Sequence, residues 1–256
     1  MNAKKGKLPE AGYIVNRRGF FSSLGVTAVM LGPGATLLSL VNARSMDEPI
    51  EGSARRWGML IDVNRCVDGC DECISACSKE NGLTSHGRPK TDVQWIRKVT
   101  IRDLRFGQEV SLPLMCQHCQ YPPCVDVCPT GASFQRTDGI VLVDRHICIG
   151  CRYCMMACPY KARSFVHESV SNQKPHAPRG KGTVEACTFC VHKIDSNDSD
   201  PMPACVDACI AKGHNAMVFG DLEDPGSQIS KELKKYPGVE LRGDMRLEPN
   251  VRYRGI

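Results

Sequence analysis

Hydrophobic and polar residues alternate over three short stretches of the chain, and each stretch predicts a β-strand. They are Trp57–Val63 (WGMLIDV), Lys98–Asp103 (KVTIRD) and Thr137–Asp144 (TDGIVLVD), and the last contains an Asp-Gly turn. Short helices are predicted to begin near Ile74, Val125, Met155 and Val206. Helices this short gain little stability from residue propensity alone, so another source of folding free energy is expected.

A different pattern marks the N-terminus, where a basic start and the pair Arg17 and Arg18 precede the mostly apolar stretch Leu24–Val41. Because small residues follow at Val41-Asn42-Ala43, residues 1–43 are predicted to be an export signal of the twin-arginine (Tat) type, cleaved or retained. A plain membrane anchor is the alternative, but three glycines and a proline interrupt a stretch at the short end of spanning length.

The composition of the chain is distinguished by its cysteine content and not by its charge. The first 43 residues carry +4 of the formal net charge of +5, and no basic stripe interleaved with aromatic residues follows. We therefore expect no nucleic-acid partner. Aromatic residues make up 6% of the 256 residues, which is few for a chain held together by side-chain packing alone, whereas sixteen residues are cysteines.

The cysteines fall into four runs of four, with none left over. The runs are Cys66, Cys70, Cys73 and Cys77; Cys116, Cys119, Cys124 and Cys128; Cys148, Cys151, Cys154 and Cys158; and Cys187, Cys190, Cys205 and Cys209. The third run has the spacing C-x2-C-x2-C-x3-C, and Pro129 and Pro159 directly follow the last cysteines of the second and third runs.

Disulfides, structural zinc and iron-sulfur clusters are the three chemistries that could use these runs. A disulfide framework normally links distant segments, and zinc sites usually join two separated pairs, so both fit four crowded thiols poorly. Three thiolates on a tight loop suit one 4Fe-4S cluster, while the fourth ligates a neighbouring cluster in two-cluster ferredoxins. At four thiolates per cluster we predict four 4Fe-4S clusters, whose ligation carries much of the folding free energy. Clusters assembled in the cytosol also require export of a folded protein, as a Tat signal provides.

Four stretches around the cysteines carry a family resemblance. They are LIDVNRC, MCQHCQYPPCVDVCPTGA, DGIVLVDRHICIGCRYCMMACPYKAR, and ACTFCVHK followed by PACVDAC. With them the chain resembles, roughly over residues 57–219, the four-cluster ferredoxin-type iron-sulfur subunits of dimethyl sulfoxide and polysulfide reductases. Within that family, the leader and the stretch AKGHNAMVFGDLEDPGSQIS (Ala211–Ser230) are most similar to the DsrO branch, the periplasmic subunits of DsrMKJOP-type membrane complexes.

The resemblance implies ligand sets that cross between runs, pairing the first run with the fourth and the second with the third. Cluster 1 would be held by Cys66, Cys70, Cys73 and Cys209, and cluster 2 by Cys148, Cys151, Cys154 and Cys128. Cluster 3 would be held by Cys116, Cys119, Cys124 and Cys158, and cluster 4 by Cys187, Cys190, Cys205 and Cys77.

Two features depart from the usual motif. The first run is one residue longer between Cys66 and Cys70, and Gly69 is available to absorb the extra residue. Ser78 and Ile210 stand where a proline would follow the last cysteines of the first and fourth runs.

The predicted fold is α+β and loop-rich, with two nested ferredoxin-like modules of short strands and helices around the four clusters. Residues 44–220 would form this domain, with an outer half at about 56–105 plus 183–220 and an inner half at about 106–168. Residues 221–256 would be a C-terminal extension.

The resemblance implies a periplasmic electron-transfer subunit, without catalysis of its own, in a quinone-linked membrane complex of dissimilatory sulfur metabolism. Its implied partners are an NrfD-type integral membrane subunit and a multihaem cytochrome c subunit, and no small-molecule substrate is expected. The alternative is the electron-transfer subunit of a polysulfide, tetrathionate or nitrite reductase. A more distant alternative is a zinc- or disulfide-stabilised exported binding protein.

Four polar residues near the cysteines are predicted to act without ligating clusters. Because thiolates fill every cluster position, His118 and His192 should pack or donate hydrogen bonds near sulfur and so tune the potential. Lys193 and Arg152 should balance the charge of buried anionic clusters. The polar segments 169–182 and 195–203 are predicted loops, the first solvated or used for docking.

Overall fold

The computed structural model describes residues 55–256, except 103, 106, 108, 172 and 197–200. The predicted signal segment lies outside the described residues. Nine strands occur in the described part: β1 (Trp57–Asp62), β2 (Ile96–Arg102), β3 (Glu109–Met115), β4 (Ser133–Gln135), β5 (Val141–Val143), β6 (Ser164–Phe165), β7 (Val184–Glu185), β8 (Met217–Asp221) and β9 (Val251–Arg254). Six α-helices occur in the same residues: α1 (Glu72–Asn81), α2 (Pro123–Asp126), α3 (Tyr153–Ala157), α4 (Val191–Ile194), α5 (Ala204–Ala211) and α6 (Gln228–Lys235).

The three strand predictions are confirmed, with shifted ends. β1 covers the first stretch, and β2 begins at Ile96, two residues before the predicted start. In the third stretch the chain turns at Gly139, whose φ of 82° is readily available to glycine, and then enters β5. The predicted strands are therefore real, but β5 is only three residues long.

The four predicted helices all begin two residues earlier than expected. The third cysteine of each run consequently lies inside a first helical turn instead of before it. A proline explains this in two cases: Pro123 opens α2 with a fixed φ, and Pro203 caps α5. Helix α1 ends at Gly82, which adopts the left-handed conformation with a φ of 65°.

β1 is the middle strand of the largest sheet, and five of its six residues are buried. It pairs antiparallel with β8 and parallel with β9. Trp57 stacks flat on Phe219, with ring centroids 5.3 Å apart, so aromatic packing supports the first pairing. The other strands form three separate hairpin-like pairs, β2 with β3, β4 with β5, and β6 with β7.

Strand β9 connects this sheet to the loop of the second cysteine run. Tyr253 is fully buried in β9 and donates a hydrogen bond to the Pro113 carbonyl oxygen at 3.1 Å. Its hydroxyl also accepts from the Gln117 amide, and the Asn250 N–H donates to the Gln117 carbonyl oxygen. Residues beyond 220 thus form part of the packed interior.

A buried ion group fixes the polar segment 169–182. The Glu185 side chain is fully buried and accepts from Arg179 Nε at 3.0 Å and from Trp95 Nε1 at 3.2 Å. Arg179 also donates to the Gly82 carbonyl oxygen, and Arg145 lies 3.8 Å from the carboxylate. This predicted loop is therefore solvated along much of its length but anchored at Arg179.

No helix within the described residues is long and apolar enough to span a bilayer.

Replacing Glu185 with glutamine should destabilise the protein by about 3 kcal/mol, because it leaves two largely buried guanidinium groups without their carboxylate. Anaerobic urea unfolding followed by circular dichroism would show a lower midpoint. The matched control is Glu168→Gln, which removes an exposed pair with Arg88 and should cost less than about 0.5 kcal/mol. Equal midpoints for the two variants would contradict this role of Glu185.

Candidate iron-sulfur site

Each cysteine run begins on a loop and ends on or beside a helix. Helices α1 and α5 carry two cysteines each, α2 and α3 carry one each, and the remaining cysteines precede or follow these helices. None of the sixteen, all of which are described, forms a disulfide, and eleven are buried. The loops therefore present thiols to the interior.

Helix packing brings the runs together in pairs. α1 packs against α5, which places the first run beside the fourth, and α2 packs against α3, which places the second beside the third. Segments more than 120 residues apart are thereby joined in the outer pair.

The thiols of the first and fourth runs form two mutually interacting groups. Burial raises the pKa of the Cys73 thiol to about 12, and the nearby thiols of Cys66, Cys70 and Cys209 add to that rise. Burial also raises the pKa of Cys205 well above its ordinary value, and the thiols of Cys77 and Cys190 contribute most after it. The pKa of Cys187 is raised by burial and by Cys77, Cys205 and Cys190.

The second and third runs divide in the same way. Burial raises the pKa of the Cys116 thiol to about 12, and Cys124 and Cys158 contribute to the rise. The pKa of Cys119 is raised by burial and then by the same three thiols, Cys116, Cys124 and Cys158. The pKa of the Cys154 thiol is raised by burial, and this thiol also interacts with Cys148 and Cys128. Cys151 lies on the exposed loop before α3.

Polar hydrogens point at several of these sulfur atoms. The N–H groups of Ser133 and Ala216 lie 3.3 Å from the Sγ atoms of Cys128 and Cys209, respectively. The N–H of Phe189 lies 3.5 Å from Cys187 Sγ. Such donors stabilise thiolate over thiol and are the contacts that tune a metal-bound sulfur.

Arg163 is the buried cation of the inner groups. Its Nη2 donates to Cys124 Sγ at 3.0 Å, and its charge also interacts with Cys116 and Cys154. The residue is 5% exposed, and its Nε and Nη1 have no hydrogen-bond partner among the described residues. The charges that act on it most strongly are those of the Cys124, Cys116 and Cys154 thiols. A buried guanidinium in this state requires a compensating anion.

These observations fit an anionic iron-sulfur group. Thiols whose pKa is raised by burial and by one another do not ionise at neutral pH unless a bound cation displaces their protons. Thiolate-ligated clusters carry net negative charge and accept hydrogen bonds at sulfur, which is what the unpartnered donors of Arg163 require. The donor set therefore suits iron-sulfur clusters.

His118 connects the inner thiols to the outer ones. Its Nδ1 accepts from the Val141 N–H at 3.0 Å, and its ring lies 3.8 Å from that of Phe189, which stands between Cys187 and Cys190. Burial, followed by the charge of Arg163, lowers the pKa of His118 to about 3. The imidazole is therefore neutral, and its Nε2 is buried without a partner in the part of the chain that the structure describes.

Non-glycine residues adopt left-handed backbone at three of the four thiol loops. They are His118, Arg152, Phe189 and Cys190, with φ between 45° and 64°. In the remaining loop Gly69 takes a φ of 77°, as expected for the residue that absorbs the longer spacing. Conformations of this kind cost free energy and concentrate at functional sites.

The two charge-balance predictions stay predictions. Lys193 pairs with Asp207 at 3.1 Å, and its charge also acts on the Cys190 thiol. The Arg152 guanidinium lies over the Phe165 ring at 4.1 Å. A cation that the sequence analysis missed contacts sulfur directly, and this cation is Arg163. The sequence gives no signal for this residue, because a single arginine five residues after Cys158 forms no spacing pattern.

Comparison with known proteins agrees with this donor set. A family model described as a 4Fe-4S dicluster domain matches residues 108–222. The chain is 40% identical to the Hdr-like menaquinol oxidoreductase iron-sulfur subunit 1 of Archaeoglobus fulgidus, over 94% of this chain and 98% of that protein.

Two further relatives are similar over nearly the whole chain. A tetrathionate reductase subunit of Salmonella typhimurium is 39% identical over 94% of this chain and 88% of its own length. Protein NrfC of Escherichia coli is 34% identical over 92% of this chain and 93% of its own length. The chain belongs to the ferredoxin-type family of 4Fe-4S iron-sulfur subunits that these relatives represent.

Proposed function

We propose that this chain holds four 4Fe-4S clusters and transfers electrons as a subunit of a membrane-bound, quinone-linked redox complex. The observation that carries the proposal is the packing of α1 on α5 and of α2 on α3, which places interacting thiol groups from different cysteine runs side by side. When bound, each such cluster accepts and releases one electron at a time.

The proposed ligand sets follow these groups. The outer half uses Cys66, Cys70, Cys73 and Cys209, and next to them Cys187, Cys190, Cys205 and Cys77. The inner half uses Cys116, Cys119, Cys124 and Cys158, and next to them Cys148, Cys151, Cys154 and Cys128. The interactions of Cys73 with Cys205 and of Cys124 with Cys154 support contact between the two groups in each half.

The chain's own residues would control where electrons can enter. Most thiols are buried, but Cys151 is exposed and Cys128 and Cys148 are half-buried, so one inner group approaches the surface. In the outer half, Cys66 and Cys70 are also half-buried. Two accessible groups suit a subunit that receives electrons from one partner and passes them to another.

Exposed apolar side chains surround the accessible inner group, with exposed Arg152 among them. Exposed hydrophobic side chains there are Ile147, Ile149, Tyr153 and Met156, which flank the third cysteine run, together with Val127 beside Cys128. We propose that this face contacts an NrfD-type integral membrane subunit, because exposed apolar side chains around a cluster exclude water when a partner protein binds there.

For the identity of the complex, we propose a DsrMKJOP-type complex of dissimilatory sulfur metabolism, in which this chain is the periplasmic DsrO-like subunit. The chain would be exported folded through a Tat signal over residues 1–43. A multihaem cytochrome c subunit would be its second partner. The alternative, an electron-transfer subunit of a tetrathionate or nitrite reductase, is favoured by the similarity to the tetrathionate reductase subunit and to NrfC. Co-purification of the chain from its own membranes decides between them, because a molybdopterin subunit in the complex contradicts the DsrO-like assignment.

Anaerobically purified protein should contain about sixteen iron atoms and about sixteen acid-labile sulfides per chain. Iron, zinc and sulfide analysis of one preparation makes the measurement. A preparation with about four irons per chain would contradict the four-cluster proposal. Zinc in place of iron would support the zinc-stabilised binding protein instead.

Crossed ligation predicts which cysteine variants share a phenotype. Cys209→Ser should alter the same electron paramagnetic resonance signal as Cys70→Ser, although 139 residues separate them, and Cys205→Ser should alter a different one. Dithionite-reduced samples of the three variants, compared by spectrum and spin count, test this. If Cys209→Ser and Cys205→Ser altered one common signal, the crossed sets would be wrong.

Replacing Arg163 with glutamine should make the inner clusters harder to reduce, because a buried positive charge beside two ligand groups is lost. We expect roughly a tenfold fall in the equilibrium constant for reduction, which is about 59 mV for one electron. Redox titration followed by electron paramagnetic resonance measures the shift. Outer-cluster potentials serve as the internal control, and Arg152→Gln, which removes an exposed arginine, should shift the inner potentials less. Unchanged inner potentials in Arg163→Gln would contradict the counter-charge role.

A further inference from the structure

We propose that Glu80, His176 and His192 form a separate binding site for a divalent transition metal of the zinc class. The three side chains lie outside the sixteen cysteines, and the proposal does not depend on the electron-transfer function. Their ligand atoms all lie within 4.8 Å of one another. Two imidazoles and one carboxylate are a donor set typical of zinc sites with an open position.

The site is assembled from three segments that are distant in the sequence. Glu80 lies in the last turn of α1, and His192 lies in α4. His176 lies in a tight turn of the 169–182 segment, closed by a bridge between Lys174 and Ala177. Because Arg179 anchors the same segment through Glu185, the turn is held where its imidazole reaches the other two side chains.

The geometry directs both imidazoles to one side. The rings of His176 and His192 stack with centroids 3.8 Å apart and an angle of 26° between their planes. His192 Nε2 lies 2.7 Å from Glu80 Oε1, and His176 Nε2 lies 3.1 Å from the Glu80 carbonyl oxygen. Zinc binds His nitrogen and carboxylate oxygen at about 2.0–2.2 Å, so its tetrahedral ligand atoms lie about 3.4 Å apart. The His192–Glu80 pair is near this spacing, and His176 within 4.8 Å needs only a small side-chain movement to join it.

Metal binding would replace these two hydrogen bonds. Each imidazole would carry its single proton on Nδ1 and offer the Nε2 lone pair to the metal, while the Glu80 carboxylate ligates through Oε1. The neighbouring Lys193 ammonium pairs with Asp207 at 3.1 Å, so its charge is partly compensated by a carboxylate. The two-imidazole, one-carboxylate set is therefore matched to a dipositive ion.

Partial exposure gives the ion an entry path. The side chains of His192 and Glu80 are 20% and 28% exposed, and His176 is exposed. Three protein ligands leave a fourth position for water. A bound ion would fasten the 169–182 segment to α1 and α4, one turn from Cys77 and two residues from Cys190.

The test uses the full chain, purified anaerobically with its iron. Samples are dialysed against buffers of defined free Zn²⁺, and zinc and iron per chain are measured together by mass spectrometry. We expect one zinc per chain beyond the iron, and at least roughly tenfold weaker zinc binding in His176→Asn with iron content unchanged. His167→Asn is the matched control, because it removes an exposed histidine outside the site and should leave zinc binding unchanged.

Two further measurements make the result decisive. Glu80→Gln should weaken zinc binding as His176→Asn does, and it covers the case in which one variant folds poorly. Zinc-edge X-ray absorption should show nitrogen and oxygen neighbours without sulfur. The proposal is overturned if the chain takes up no zinc, if His176→Asn binds it as tightly as the unaltered chain, or if sulfur scattering places the zinc on cysteines.

Discussion

The crowding of ionisable sulfur in an interior that disfavours charge is the constraint on which this structure depends. Eleven of the sixteen thiols are buried, and burial raises the pKa of most of them. A bound cation would hold such groups as thiolates, so we expect ligation and folding to be coupled in this chain. The short helices fit that view, because α2, α3 and α4 have four or five residues each and could not persist alone.

Several strands and helices and the four cysteine runs suited to iron-sulfur ligation could be predicted from the sequence, because hydrophobic alternation and cysteine spacing are local signals. The strands at 57–62 and 96–102 and the left-handed Gly69 followed from such patterns. Contacts between distant segments left no local signal. The position of Arg163, the Glu185 ion group and the His118–Phe189 ring contact each depend on tertiary packing that a single sequence does not encode as a repeat.

Aromatic and imidazole packing links the loop of the second cysteine run to the loop of the fourth. His118 and Phe189 each lie between the first two cysteines of their run, and the centroids of their rings are 3.8 Å apart. A neutral, fully buried pair at this position excludes water and adds no charge of its own. Buried charge lies elsewhere, at Arg163 beside the thiols of the second and third runs and in the ion group of Glu185 and Arg179.

The parallel pairing of β9 with β1 has a consequence for biosynthesis. The strand that completes the sheet, Val251–Arg254, is translated long after its neighbour, which begins at Trp57. The ribosome must therefore pass residue 254 before this third strand can join the sheet, whereas the β1–β8 pair and all sixteen cysteines are synthesised earlier. The sheet is thus completed by one of the last segments to be translated.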